Sequence, residues 1–152
     1  MSTIHLTQST TLTPEQYVAG LTDFGPGRNK VFSNSADDDL VVHSVQGTAA
    51  DVTEGSGGIW ERLQYDWSDP NRVVLRTTDS NTWSHDSGYT YTFPRSSDGK
   101  TNVHVDIVRK GKTLKGHFLA LVLGTVGRGV LTKSFVNSVK AIEGRNKEAQ
   151  VR

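Results

Sequence analysis

The segment from Leu40 to Lys110 constrains the fold most, because apolar and polar residues alternate there through six successive runs. The runs are Leu40–Gln46, Thr48–Glu54, Ile59–Trp67, Arg72–Asp79, Ser87–Arg95 and Thr101–Lys110. Gly47, the GSGG of Gly55–Gly58, the SDPN of Ser68–Asn71 and the SSDGK of Ser96–Lys100 separate most of them with turn-forming residues. A period of two sends successive side chains to opposite faces, and connections this short join antiparallel neighbours. With Thr3–Thr11, where Ile4 and Leu6 alternate with His5 and Thr7, the pattern predicts a seven-stranded antiparallel sheet. Tyr89, Tyr91 and Phe93 then share one face, opposed by Val103, Val105 and Ile107. Leu63, Tyr65 and Trp67 form a similar set, beside Val73 and Leu75 or, one register over, Val74. Thr90, Thr92, His104 and Asp106 fall on the other face, so one side of the sheet meets water and the other needs a cover.

The cover is read from the helical signals. Thr13 is a natural N-cap, Pro14 suits the first helical position and Gln16 completes a capping box, which predicts a helix over Pro14–Phe24, stopped by the GPG at Gly25–Gly27. A second short helix or turn is expected at Arg28–Phe32. From Lys112 to Glu143 the chain reads as one long helix, with one stripe of Leu119, Leu123, Val126 and Val130 and another of Leu131, Phe135, Val139 and Ile142. Gly144 reads as its stop, leaving residues 1–144 as a single α+β domain and 145–152 as a polar tail. Within the long helix, LVLGTVGRGVL carries Gly124, Gly127 and Gly129. They follow no buried strand and lack the ending of a phosphate loop, so a nucleotide reading is weak. Either the backbone packs closely on the sheet there, or the missing side chains leave room for a ligand.

Seventeen Lys and Arg against sixteen Asp and Glu leave a net charge of +1, with no basic run that would mark a nucleic-acid partner. The chain has no Cys, which excludes thiolate catalysis and zinc ribbons and suits a reducing compartment. The N-terminus lacks the pattern of an export signal, and the most apolar run, Phe118–Val126, is about half the roughly 20 residues of a spanning helix. A cytoplasmic protein without an integral membrane segment is therefore expected, as a monomer. Catalytic signals are sparse. His5, His43, His85, His104 and His117 contain no HxxxH pair, His104 and Asp106 alternate toward solvent, and no metal site or cofactor is expected. Glu61 and Arg62 point to opposite faces, so either one of the two charges enters the pocket or both lie near its rim. An inward Arg would favour a carboxylate or phenolate ligand. His43 and His117 are candidate acid–base groups.

The order of elements, together with ADVTEGSGGIWERLQYDWSDPNRVVLRTTDSN at Ala50–Asn81 and the stretch from Gly111 through GHFLALVLGTVGRGVL to AIEG at Gly144, resembles the START-like superfamily of polyketide cyclases/dehydrases and lipid-transport proteins (SRPBCC). The segments look like actinobacterial members. The resemblance spans residues 3 to 143 and implies a helix-grip fold, in which a curved seven-stranded antiparallel sheet wraps around a long C-terminal helix with one or two short helices after the first strand. It further implies a cavity between sheet and helix for a small hydrophobic molecule such as a lipid, an isoprenoid or a polyketide-like aromatic. Leu63, Tyr65, Trp67, Tyr89, Tyr91, Phe93 and Val105 are expected to line it from the sheet, and Leu119, Leu123, Val126 and Gly127 from the helix. His43, Arg62 and His117 are the expected polar groups. Binding or transport is the first reading, and a cyclase or dehydratase working in the same pocket is the alternative.

Overall fold

In the computed structural model, which describes residues 1–151, the chain forms β1 (Ser2–Thr10), α1 (Pro14–Leu21), β2 (Val41–Gln46), β3 (Ala49–Ser56), β4 (Ile59–Asp69), β5 (Arg72–Ser80), β6 (Gly88–Thr92), β7 (Thr101–Arg109), α2 (Leu114–Gly124) and α3 (Arg128–Val151). Single 3₁₀ turns at Arg28–Lys30 and Asp37–Asp39 fill the link between α1 and β2. The seven strands make one antiparallel sheet in the order β1-β7-β6-β5-β4-β3-β2, a meander whose last strand takes the first as its outer neighbour. Tyr65 pairs with Leu75, which settles the register left open by the sequence: Val73 and Leu75 join Leu63 and Tyr65 on the inner face. Tyr89 opposes Ile107 and Tyr91 opposes Val105, as the alternation predicts. Register breaks between Val42 and Ser44, Arg62 and Leu63, and Asp66 and Asp69 bend the strands and add twist. The helices occupy the concave side. This is the helix-grip α+β architecture.

Helix α1 begins as its capping box predicts: the Thr13 side chain accepts from the Gln16 N–H, and the Gln16 side chain accepts from the Thr13 N–H. It ends at Leu21 rather than Phe24. Thr22 donates its hydroxyl back to the Val18 carbonyl and Asp23 accepts from the Gly25 N–H, local bonds that compete with another helical turn. Phe24 is thereby freed to meet Tyr65 edge-on, with ring centroids 5.0 Å apart.

The single long helix expected over Lys112–Glu143 is two helices, α2 and α3, bent by 74° at Thr125–Gly127. A Cβ on Gly124 would lie 2.6 Å from Ser2 Oγ, so α2 approaches β1 at a distance only glycine permits. Ser2 Oγ also donates to the Ala120 carbonyl at 2.6 Å. Just beyond, Thr125 Oγ1 turns back to the Leu121 carbonyl and the Gly127 N–H donates to the Val122 carbonyl at 2.7 Å, closing α2. Gly124, Gly127 and Gly129 each weaken a continuous helix by about 1 kcal/mol relative to alanine, which makes this the place to break. Gly144 does not stop α3, which continues through Val151. Arg145, assigned by sequence to a loose tail, donates to the Gly27 carbonyl at 3.0 Å and faces Asp23 at 3.7 Å.

The predicted second stripe holds, with Phe135, Val139 and Ile142 buried against the sheet and α1. Tyr17 lies between Tyr91 and Phe93, at ring distances of 5.9 and 5.8 Å, so aromatic rings pack this half of the interior. Among the described residues no single helix is long and apolar enough to cross a membrane.

Candidate functional site: a cavity beneath the bent helix pair

The space left between sheet and helices lies at the other end of the grip, beneath the joint of α2 and α3. It has a volume of about 200 Å³. Leu63, Tyr89 and Ile107 line it from the sheet, Leu123 and Leu131 from the two sides of the joint, and Trp83 from the loop between β5 and β6. Glu54, Glu61 and Arg109 put charge into a wall whose other polar side chains are Asn34, Ser56 and the Tyr89 phenol.

The two carboxylates are direct partners across β3 and β4, both buried on the inner face. Like charges set opposite one another destabilise a sheet, so each requires its own cation. Arg28, only 2% exposed, donates from Nε to Glu54 at 2.6 Å and from Nη1 to the Asp23 carbonyl at 2.7 Å. Its Nη2 donates to the Tyr65 hydroxyl, which in turn donates to Glu54. The Phe24 and Phe32 rings flank the guanidinium, with centroids 4.8 and 4.6 Å away. Arg109, 3% exposed, repeats the arrangement: Nη1 donates to both oxygens of Glu61 at 3.1 and 3.2 Å, with the Trp83 and Tyr89 rings at 5.0 and 4.7 Å. Thr77 adds a hydroxyl bond to Glu61 at 2.9 Å and Tyr89 a longer one at 3.4 Å.

Three buried polar atoms among the described residues lack a partner, Tyr17 Oη, Ser35 Oγ and Arg109 Nη2, and only the last belongs to a residue that lines the cavity. Arg109 Nη2 is buried and has no hydrogen-bond partner, although nearly all buried polar atoms in folded proteins find one. Burial works against the Arg109 charge, but the Glu61 carboxylate it binds offsets this and keeps the guanidinium protonated. Burial pushes the Tyr89 phenol up, against the opposing pull of Arg109. Burial and the Glu54 charge raise Tyr65 likewise. These phenols remain hydrogen-bond donors at neutral pH.

Of the residues expected to line the cavity, the structure brings together Leu63, Tyr89 and Leu123. Tyr65, Tyr91, Phe93 and Val105 are instead buried in the core, and Trp67 packs at its margin. Leu119 is half-buried outside the cavity, and Gly127 sits in the joint with the Val122 carbonyl beside it rather than over the hollow. Val126, 84% exposed, is rotated outward by the bend, and Val130 with it. The polar candidates do not enter. Arg62 is on the outer face in a bidentate pair with Asp51, at 2.9 and 2.6 Å. His43 is exposed on the edge strand and bonded to Thr53, and His117 is exposed on α2. The charges that line the cavity are Glu54, Glu61 and Arg109; the sequence names Glu61 only as half of the Glu61–Arg62 pair and does not single out the other two. Strand parity carries the signal, since Glu54 follows Ala50 and Val52, Glu61 precedes Leu63 and Tyr65, and Arg109 follows Val105 and Ile107.

A larger hollow of about 620 Å³ lies on the outer face, where Asp51, Asp66, Asp69, Arg72 and Arg76 surround it. Its lining mixes charges of both signs with Ser44, Gln46, Gln64 and Ser68, and only Ala49, Ala50, Tyr65 and Val74 are apolar, so it is poorly suited to a hydrophobic molecule.

No protein-family model and no curated protein sequence matches the chain. Solved structures do. A Thermus thermophilus protein superposes with a TM-score of 0.68 over 97% of this chain and 98% of its own, at 14% identity. A START superfamily protein from Mycobacterium smegmatis gives 0.68 over 98% and 99%, at 11% identity. The Zhui aromatase/cyclase from a Streptomyces species gives 0.65 over 94% of each chain, at 12% identity. At these identities the likeness shows the START-like fold and leaves the activity to be argued from the site.

Proposed function

We propose that this START-like fold binds a small, mostly apolar molecule in the cavity between the sheet and the α2–α3 joint, and that the molecule carries a neutral acceptor oxygen. The unpartnered Nη2 of Arg109 carries the reading. Apolar walls from Leu63, Ile107, Leu123 and Leu131 supply the driving force, at about 25 cal/mol per Å² of ligand surface removed from water. A polar donor at the wall supplies orientation. The net charge of the lining argues for a neutral oxygen. Glu61 already neutralises Arg109, and a ligand carboxylate would add a third negative group beside Glu54 and Glu61. Size argues for one ring, since a cavity of about 150 Å³ takes benzene. Lipids, isoprenoids and longer polyketide-like aromatics fit once the helix joint opens. The cytoplasm is the proposed compartment.

Cyclase or dehydratase chemistry is the second reading, and the site favours it less. His43 and His117 lie outside the cavity, and the tyrosines that reach inward are held protonated by burial.

Trp60 and Trp83 border the cavity, so intrinsic fluorescence reports occupancy. Acetophenone is expected to quench it at lower concentration than α-methylstyrene, which has the same shape without the carbonyl. Arg109→Met is expected to erase the preference, and Leu123→Trp, which fills the hollow, to abolish both titrations. Equal affinities in the wild-type chain, or unchanged binding in Leu123→Trp, would refute the proposal. Native mass spectrometry of freshly expressed protein then identifies any co-purified molecule.

A further inference from the structure

We propose that His5, His104 and Asp106 form a binding site for a divalent transition-metal ion, zinc by preference, on the outer face of the sheet. The β1–β7 register sets His5 opposite Asp106 and Thr7 opposite His104. Three side chains from two strands thereby converge on one point. His5 Nδ1 meets Asp106 Oδ1, and His104 Nε2 lies 2.8 Å from the same oxygen. A metal-binding donor atom from each of the three lies within 4.8 Å of the others. Donors around a zinc ion, bound at about 2.0–2.2 Å, are separated by at most about 4 Å, so small side-chain rotations suffice.

The surroundings select coordination. The imidazole rings of His5 and His104 are nearly parallel, 12° apart in plane and 6.2 Å between centroids, and present a nitrogen each toward the carboxylate. Thr7 Oγ1 lies 2.7 Å from His104 Nδ1. When the Nδ1–H donates to that hydroxyl, Nε2 carries a lone pair facing a carboxylate oxygen. A metal ion can take the place of the proton that otherwise lies between Nε2 and the carboxylate. Histidine ligands are commonly oriented by such a bond from the second ring nitrogen. Both histidines and the aspartate stand on paired strands, so little ordering remains for an ion to impose. Two imidazoles and one carboxylate suit zinc, nickel or copper, and zinc tolerates the irregular geometry that two pleated strands supply. The group is open to solvent, with His5 at 61%, His104 at 30% and Asp106 at 39%, which leaves room for water or a substrate atom to complete the coordination.

The site lies on the opposite face from the cavity and stands or falls independently of it. Zinc chloride titrated calorimetrically into tag-free, chelator-stripped full-length protein is expected to bind at one equivalent. His5→Ala, His104→Ala and Asp106→Asn are each expected to weaken binding by more than about tenfold, and Thr7→Val by about tenfold. His43→Ala and His85→Ala serve as controls and retain wild-type affinity. Circular dichroism confirms that each variant is folded, and cobalt substitution is expected to give visible absorption that Asp106→Asn removes. Absence of heat from the wild-type chain, which would leave only a hydrogen-bonded His–Asp–His group, overturns the proposal. Binding that survives His104→Ala, or that falls equally in His43→Ala, overturns it as well.

Discussion

Glu54 and Glu61 face each other in the interior because each has a guanidinium of its own, and that dependence can be measured. Arg109→Met leaves Glu61 buried without its cation and is expected to cost about 3–5 kcal/mol in urea denaturation. Adding Glu61→Gln removes the stranded charge, keeps an acceptor for Thr77 and is expected to recover most of the loss. The tyrosines give a second test. Burial raises Tyr17, Tyr65, Tyr89 and Tyr91 above the ordinary phenol value, so all four are neutral in the folded chain at pH values where the unfolded chain ionises. The stability they contribute is complete below a pH of about 10 and is lost above it, at about 1.4 kcal/mol per pH unit for each residue. Phenolate absorbance is therefore expected to rise only together with unfolding. These residues also show the reach of sequence reasoning. Parity alone puts Glu54, Glu61 and Arg109 inside, but a charge at the end of an apolar run reads just as well as the strand emerging into water. Only the pairing of strands shows that each has a partner.

At the scale of elements, the sheet was legible because every strand carries its own alternation and most connections carry their own turn residues. The capping box marked the start of α1 for the same reason, since its signal is local. The break between α2 and α3 was not legible. Its cause is contact with Ser2, more than a hundred residues away, together with a Thr125 hydroxyl that bonds backward. The apolar spacing continues across the bend as if the helix did. Docking of α2 rests on a similar close approach. A Cβ on Gly116 would come within 2.3 Å of the Thr82 carbonyl and 3.1 Å of Gly111 Cα. Gly116→Ala, which would gain about 1 kcal/mol in an open helix, is expected instead to destabilise the protein by more than about 1 kcal/mol, read as a lowered urea midpoint. Gly127→Leu is expected to disturb the joint, where the Val122 carbonyl stands 3.0 Å from the new Cβ, rather than to fill the cavity directly.

Across the whole molecule, the two ends of the grip differ in how firmly they close. At one end α1, α3 and the sheet meet in a continuous core, whereas α2 buries only Gly116 and Ala120 and leaves Leu114, Phe118 and Leu121 facing outward. Few buried contacts mean a low cost of local opening, so α2 amides are expected to exchange hydrogen well before those of β4, β5 and β7. A ligand seated against Leu123 is expected to slow the exchange at the end of α2, and exchange there that ignores the ligand would remove α2 as the gate. The sheet itself is completed by its two most distant strands, with His5 beside Asp106. During synthesis β1 precedes β7 by about a hundred residues and has no edge to join until β7 follows. At about 5–20 residues per second that interval is roughly 5–20 seconds. Throughout it Ile4 and Leu6 lack the β7 neighbours they face in the folded sheet, so the seam that holds His5 against Asp106 is the last part of the sheet that can close.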